Sequence, residues 1–314
     1  MKQNFLDVRN FDAQQALAFV MAQGTHIESE INMAVYPDIQ YPELIPVDTS
    51  AHPFVKSVTY FSGDVFGRAG WINGNADDIP IAGTERTKFE TNVETAGLGY
   101  AYGWEEIGYA QLLGRNLPAD DAAAARRGSE QMIDEVALRG DAAKGFQGLI
   151  THSAITPTNV PNGDWGGTGS TVGKIIEDFN TGLRLTWSGT KYTSVADTVL
   201  LPYLKLDFLA STVLDGTSET LLSFLRANNT YTAMTGKQLR IRGVFGLDTA
   251  GVSTTARMIT YRRSPEVLKL HLPMPHQFLR PYQAGPLRIE VPGVFRMGGV
   301  DIRRPGEVKF NDGI

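Results

Sequence analysis

Cysteine is absent from this 314-residue sequence, which excludes disulfide bonds, thiolate metal sites and cysteine nucleophiles. Histidine is rare, and none of its five copies stands in an HExxH pattern. His271 and His276 flank two prolines, so they do not share a helical face. Because zinc needs three or four convergent ligands, we predict no metal site.

Long apolar runs are also missing. No stretch approaches the roughly 18 apolar residues that a membrane-spanning helix needs. The apolar run at residues 16–22 has glutamine on both sides, unlike the core of a signal peptide. We therefore expect no membrane partner and synthesis in a cytoplasm.

The chain also lacks an excess of basic residues. Charged residues make up 20% of the chain, and its net charge is -5. Tight binding to nucleic acid usually requires a basic balance or a basic stripe. Any contact with DNA is therefore expected to be weak and without sequence specificity.

Apolar periodicity predicts several helices. The longest covers residues 118–139, PADDAAAARRGSEQMIDEVALR, and would be about 33 Å long. Another begins near Ser170 or Thr171 and carries an apolar face. The residues of that face are Val172, Ile175, Ile176, Phe179 and Leu183. Shorter helices are predicted at residues 12–23, 203–213 and 218–228.

Strands are predicted between these helices and after them. Residues 54–61 and 87–94 read as strands, and DTVLLP at 197–202 reads as a buried one. Further strands are expected at 238–245, 256–261 and 266–272, followed by several short ones. With no internal repeat in view, the fold class is predicted to be α+β.

Two segments are expected to leave the body of the fold. Residues 31–47 contain Pro37, Pro42 and Pro46, which predicts an extended arm without helix that lies on another surface. The glycine-rich connection 62–86 is too long for a hairpin turn, so the two strands beside it would project.

The strongest enzyme-like motif is DWGGTGSTVGK at residues 164–174. A nucleotide P-loop would need glycine where Thr168 stands and Ser or Thr where Ile175 stands. We therefore predict a flexible loop followed by a capped helix. The aromatic cluster Tyr100, Tyr102, Trp104 and Tyr109 lies beside Glu105 and Glu106 rather than basic residues, which favours packing over base stacking.

Three segments carry a resemblance to a known family. They are RGDAAKGFQGLIT, DTVLLP and the ending MITYRRSPEVLKLHLPMPHQFLRPYQAGPLRIEVPGVFRMGGVDIRRPGEVKFNDGI. Together with the order of elements, they resemble the major capsid proteins of tailed bacteriophages, which have the Hong Kong 97-like fold. The resemblance covers most of the chain and is weakest before residue 50.

The resemblance implies a division of the chain. Residues 1–50 would be an N-terminal arm and 51–95 a hairpin called the E-loop. A peripheral domain would combine 96–150 and 261–314, with the spine helix at 118–139. An axial domain would cover 151–260.

The resemblance also implies a structural role without catalysis or cofactor. Copies of the chain would self-assemble as hexamers and pentamers into an icosahedral head shell around double-stranded DNA. Portal, scaffolding and decoration proteins are further candidate partners. The chain would reside in the virion after synthesis in the host cytoplasm, and we expect a separate scaffolding protein or none built in.

Candidate intersubunit contacts lie in and beside the 62–86 connection, whose apolar side chains have no local core to enter. They are Phe66, Trp71, Ile72, Asp77, Asp78, Ile79, Ile81 and Arg86. A loop folded back on its own domain is the alternative arrangement.

Two other functions stay open at this point. An encapsulin-like nanocompartment shell protein would share the fold and enclose protein cargo. A soluble α+β enzyme that binds phosphate through residues 164–174 is the more distant alternative.

Overall fold

A long helix and a mixed sheet organise the compact unit Ile39–Ile314 of the computed structural model. The structure describes residues 38–71, 79–103, 105–106, 117–214 and 216–314. The helix predicted over residues 12–23 lies outside these ranges.

The α-helices described here are α1 (Tyr41–Leu44), α2 (Leu117–Arg139), α3 (Val172–Gly189), α4 (Tyr203–Ser211), α5 (Leu221–Ala227) and α6 (Thr230–Thr235). Short 3-10 turns occur at Val252–Thr254 and Pro305–Glu307.

The strands in the first half are β1 (Val47–Asp48), β2 (Ser57–Phe66), β3 (Gly83–Ala96), β4 (Tyr100–Gly103), β5 (Gly140–Asp141), β6 (Phe146–Gln147) and β7 (Thr158–Asn159). Those in the second half are β8 (Thr198–Pro202), β9 (Arg240–Val244), β10 (Arg257–Tyr261), β11 (Leu268–His271), β12 (Met274–Phe278), β13 (Tyr282–Gly285), β14 (Arg288–Val291), β15 (Gly293–Gly298), β16 (Val300–Ile302) and β17 (Val308–Asp312).

Five strands form the central mixed sheet, in the order β7-β17-β10-β8-β9. Strand β10 is antiparallel to both β17 and β8, whereas β8 and β9 are parallel. The described strands also form an antiparallel sheet β12-β15-β3-β2 and two three-stranded sheets, β13-β14-β4 and β1-β11-β16.

The central sheet separates two apolar cores. Because side chains alternate across a strand, Leu200 of β8 enters the core beneath α2, while Val199 and Leu201 enter the core beneath α3. Helix α3 contributes Phe179 and Leu183 to that second core, as its predicted apolar face requires. All five residues of β8 are buried as a result.

The structure corrects the prediction for residues 31–47 in its described part. Tyr41–Leu44 is a short helix, and Pro42 is compatible with it because it stands in the first turn, where its missing N–H costs no hydrogen bond. Tyr41, Leu44 and Ile45 are buried in this chain's own core. The Tyr261 hydroxyl donates a hydrogen bond of 2.9 Å to the Leu44 carbonyl and ties the segment to the central sheet.

The C-terminal strand also departs from the predicted division of the chain. Strand β17 pairs with β10 and β7 in the central sheet, beside strands of the 151–260 range. The sequence groups these residues with 261–314, because chain order alone does not reveal which sheet a late strand joins. Helix α6 was not predicted from the sequence.

Candidate intersubunit interface

Strands β2 and β3 form a hairpin that leaves the body of the fold. Ten residue pairs join them, from Ser57 opposite Asn92 to Phe66 opposite Gly83. Residues 84–90 of β3 are all exposed, and at about 3.3 Å per residue they extend roughly 23 Å. The strand pair is longer than the predicted 54–61 and 87–94, so the connection is residues 67–82 rather than 62–86.

The base of the hairpin is fixed through β3. Strand β15 pairs with β3, and Val93 is buried there. Arg296 of β15 donates 2.7 Å and 3.0 Å hydrogen bonds to the Pro53 carbonyl and the Thr95 hydroxyl. These contacts hold both ends of the hairpin at its base.

A buried polar cluster adds a second anchor. The Asp301 carboxylate lies 2.8 Å from His271 Nε2 and accepts a hydrogen bond from the Thr91 hydroxyl. It therefore links β16, β11 and β3 below the hairpin. Nearby, burial lowers the pKa of His152, which favours the neutral form of that imidazole.

One face of the hairpin is aromatic. Tyr60 and Phe89 are directly opposite residues whose rings stack at 5.2 Å. The Arg303 guanidinium lies over the Tyr60 ring at 4.9 Å. Phe66 lies on the same face, because it is an even number of residues from Tyr60 in the strand. Its ring covers Gly83 so closely that a Cβ at position 83 would overlap the ring.

The predicted contact residues fall into three groups. Trp71 is fully exposed, and Ile79 and Ile81 are 63% and 86% exposed on the connection. Phe66 and Arg86 are exposed too, but they lie in β2 and β3 rather than in a loop. The remaining three, Ile72, Asp77 and Asp78, lie outside the described residues.

Sequence reasoning missed three aromatic residues of the hairpin. Tyr60, Phe61 and Phe89 were read as ordinary strand positions, yet Phe61 is 66% exposed and Phe89 is 45% exposed. The sequence FVKSVTYF contains apolar residues on both faces of the predicted strand, which is a signal that could have been read. In the structure this strand, β2, lies at the edge of its sheet and pairs on one side.

The 164–174 loop is organised by its own chain. The Lys174 ammonium donates a 2.9 Å hydrogen bond to the Gly169 carbonyl. The buried Asp178 carboxylate accepts from the Gly163 backbone N–H at 2.9 Å and from Trp165 Nε1 at 3.0 Å. The helix that follows has Thr171 at its N-cap without a side-chain hydrogen bond, so the predicted cap is wrong.

The aromatic cluster before the long helix is described in part. Tyr102 is buried, and the Tyr100 ring lies 5.3 Å from it and 5.2 Å from Phe278, which is a packing arrangement. Trp104 and Tyr109 lie outside the described residues. Within the described ranges, no three His, Asp or Glu side chains are grouped to hold a metal ion, and no helix is long and apolar enough to cross a bilayer.

Comparison with known proteins gives the class of the fold. The structure is similar to the capsid of a Myoviridae phage, XM1, at 16% identity, with a TM-score of 0.77 and coverage of 100% of both chains. It is also similar to the capsid of an empty GTA particle, at 11% identity and a TM-score of 0.61, with 95% of this chain and 97% of that chain covered. A third match, to Mycobacterium phage Ogopogo, has 9% identity, a TM-score of 0.59 and coverage of 94% and 98%. The chain therefore has the Hong Kong 97-like phage capsid fold.

The sequence itself matches the family model described as major capsid protein over residues 67–314. The chain belongs to the major capsid protein family and is a phage shell protein. No curated protein is similar enough in sequence to be counted as a relative. The predicted resemblance is confirmed, and neither the encapsulin-like nor the enzymatic alternative is favoured.

Proposed function

We propose that this shell protein builds an icosahedral head around double-stranded DNA, and that the hairpin β2–β3 makes contacts between subunits. The observation that carries the proposal is the exposure of large apolar side chains on a hairpin that β15 holds at its base. Trp71, Ile81 and Phe66 are 107%, 86% and 58% exposed in the single chain. Soluble monomers rarely leave such side chains together in water.

Burial against a neighbouring copy would remove this cost. A large apolar side chain contributes roughly 1.5–3 kcal/mol when it is fully covered. Closed symmetric assembly repeats one contact at every subunit, so a modest gain per copy stabilises the whole shell. Hexamers and pentamers are the units that we expect the hairpin contacts to join.

The candidate contacts divide by position. Ile79 and Ile81 would enter an apolar site on the neighbour with Trp71. Arg86 projects from β3 with an exposed side chain and would lie at the polar rim of the same contact. Ile72, Asp77 and Asp78 stay in the proposal as members of the connection.

The division into parts stays a proposal as well, amended at the C-terminus. Residues 1–50 would act as an arm whose segment 41–45 packs in this chain's own core. Residues 51–95 would be the E-loop, and 96–150 with most of 261–314 the peripheral domain around the spine helix 118–139. Residues 151–260, joined by β17, form the axial domain.

Other partners and the location follow from the shell role. Portal, scaffolding and decoration proteins are candidate partners, and the packaged DNA is contacted weakly because the chain carries a net charge of -5. The protein would be made in the host cytoplasm, reside in the virion and catalyse no reaction.

Substitution of Trp71 tests the proposal. Trp71→Ala should lower the yield of assembled particles, measured by sedimentation, and leave the melting temperature of the free subunit unchanged. Trp71→Phe retains a large apolar side chain and should restore most of the yield. Trp165→Ala is the control for a substitution in the core. Trp165 is only 2% exposed, so its truncation should lower the melting temperature. Normal assembly of Trp71→Ala with a sharply lowered melting temperature would show that the loop packs on its own domain.

A further inference from the structure

An arginine-lined pocket opens between α1, β9 and the end of α5. Its volume is about 560 Å³. Four arginines line it, Arg226, Arg240, Arg242 and Arg263, against one carboxylate, that of Glu43. This balance is unusual in a chain whose net charge is -5.

Regular structure places these arginines. Arg240 and Arg242 are both exposed and are separated by the buried Ile241, so they share one face of β9. Arg226 lies in the last turn of α5. Two elements, β9 and α5, thus direct three guanidinium groups to one opening.

The fourth arginine is held at the wall by the backbone. Arg263 Nη2 donates a 3.0 Å hydrogen bond to the Pro42 carbonyl, and the Arg263 backbone N–H donates to Asp197 Oδ1 at 2.8 Å. That Asp197 oxygen also accepts from the Thr198 hydroxyl. The Arg263 side chain is therefore fixed in place before any ligand arrives.

Most of the positive charge has no partner. Arg242 forms an exposed ion pair of 3.2 Å with Glu43. Within the described ranges, neither Arg226 nor Arg240 has an ion pair or a side-chain hydrogen bond, and Arg263 Nε is a buried donor without an acceptor. An unpaired buried donor is costly, so the wall of the pocket at Arg263 is not fully satisfied by this chain's own acceptors among the described residues.

We propose that this pocket binds an anion that carries phosphate groups, held by Arg226, Arg240 and Arg263. Guanidinium forks bind phosphate and carboxylate oxygens in pairs. One carboxylate offers two oxygens and one charge, which does not match three guanidinium groups that form no ion pair among the described residues. A polyphosphate offers several oxygens on each phosphorus and more than two charges, so it can engage all three at once.

The phosphate groups have two possible carriers, a small free polyphosphate and the backbone of nucleic acid. Calorimetric titration of the full-length protein separates them, with inorganic tripolyphosphate in one arm and a short DNA duplex in the other. We expect tripolyphosphate to bind once per chain, with an affinity that falls as salt is added. Saturable duplex binding that Arg226→Gln and Arg240→Gln weaken, without tripolyphosphate binding, would assign the phosphate to the nucleic acid backbone.

Two variants and one control test the site. Arg226→Gln and Arg240→Gln should each weaken tripolyphosphate binding about tenfold or more, because each removes a charge-assisted hydrogen bond. Both side chains are exposed, so the fold should survive, and the melting temperature without ligand checks this. Arg184→Gln removes the same charge from α3, outside the pocket, and should leave the affinity within about twofold.

Three results would overturn the proposal. One is the absence of saturable binding of either phosphate compound. Another is an equal loss of affinity in Arg184→Gln, which would mean that only net charge is sensed. The third is tighter binding of a glutamate-rich peptide than of tripolyphosphate, which would assign the pocket to an acidic protein segment.

Discussion

The buried ion pair between Arg257 and Asp312 provides the sharpest test of how the central sheet is held together. Arg257 Nε and Nη2 donate to the two Asp312 oxygens at 2.6 Å and 2.8 Å, and the two side chains are 6% and 0% exposed. Arg257 Nη1 also donates to the Ile150 carbonyl at 2.8 Å, and Asp312 accepts from the Val252 backbone N–H at 2.9 Å. The guanidinium lies over the Phe310 ring at 4.5 Å.

Breaking this pair from one side should be costly. Arg257→Met leaves the Asp312 carboxylate buried without its cation, which costs about 3–5 kcal/mol. At about 2–4 °C per kcal/mol for a domain of this size, the melting temperature should fall by roughly 6–20 °C. Thermal unfolding of the unassembled full-length subunit, followed by circular dichroism, measures the change.

The double variant Arg257→Met/Asp312→Leu separates the cost of an unpaired charge from the value of the pair. Replacement of both partners by apolar side chains removes the buried charge, so it should cost less than Arg257→Met alone. The Ile150 carbonyl and the Val252 N–H lose a partner in the double variant, so some loss remains. A loss below about 1 kcal/mol in Arg257→Met, or a double variant as unstable as the sum of the single ones, would refute this reasoning.

Two further predictions concern charged side chains. Hydrogen bonds from Ser50 and Lys269 hold the pKa of Asp48 well below its usual range. The stability that they supply should be complete above the unfolded-state pKa of about 3.9 and should be lost as the pH falls below it. Asp48→Asn should therefore reduce the fall in melting temperature as the pH drops below about 4, and an unchanged acid slope in this variant would contradict the prediction. Lys174→Ala should leave particle formation intact, because that ammonium only binds the Gly169 carbonyl of its own loop; loss of a nucleotide hydrolysis activity in this variant would contradict the structural role.

Local periodicity predicted those parts of the fold that local forces determine. The apolar face of α3 and the fully buried β8 were readable because a helix or strand beside a core repeats its pattern every 3.6 or 2 residues. Long-range pairs were not readable. Tyr261 and Leu44 are 217 residues apart, and Arg257 and Asp312 are 55 residues apart. No local pattern identifies such partners.

The position of the candidate interface could also be predicted from a local feature of the sequence. The glycine-rich connection and its apolar residues pointed to a projecting element, and Trp71 and Ile81 are exposed on it. The length of β2 and β3 was underestimated because Gly63 and Gly83 interrupt the sequence pattern without interrupting the strand pairing. The aromatic face of Tyr60 and Phe89 appeared only with the register of that pairing.

Electron microscopy of the purified full-length protein tests the central claim most directly. Closed shells of uniform diameter are expected, with the hairpin of each subunit lying on its neighbour and Trp71 buried in that contact. Particles in which Trp71 packs against its own subunit, or a protein that stays monomeric under all assembly conditions, would contradict the account.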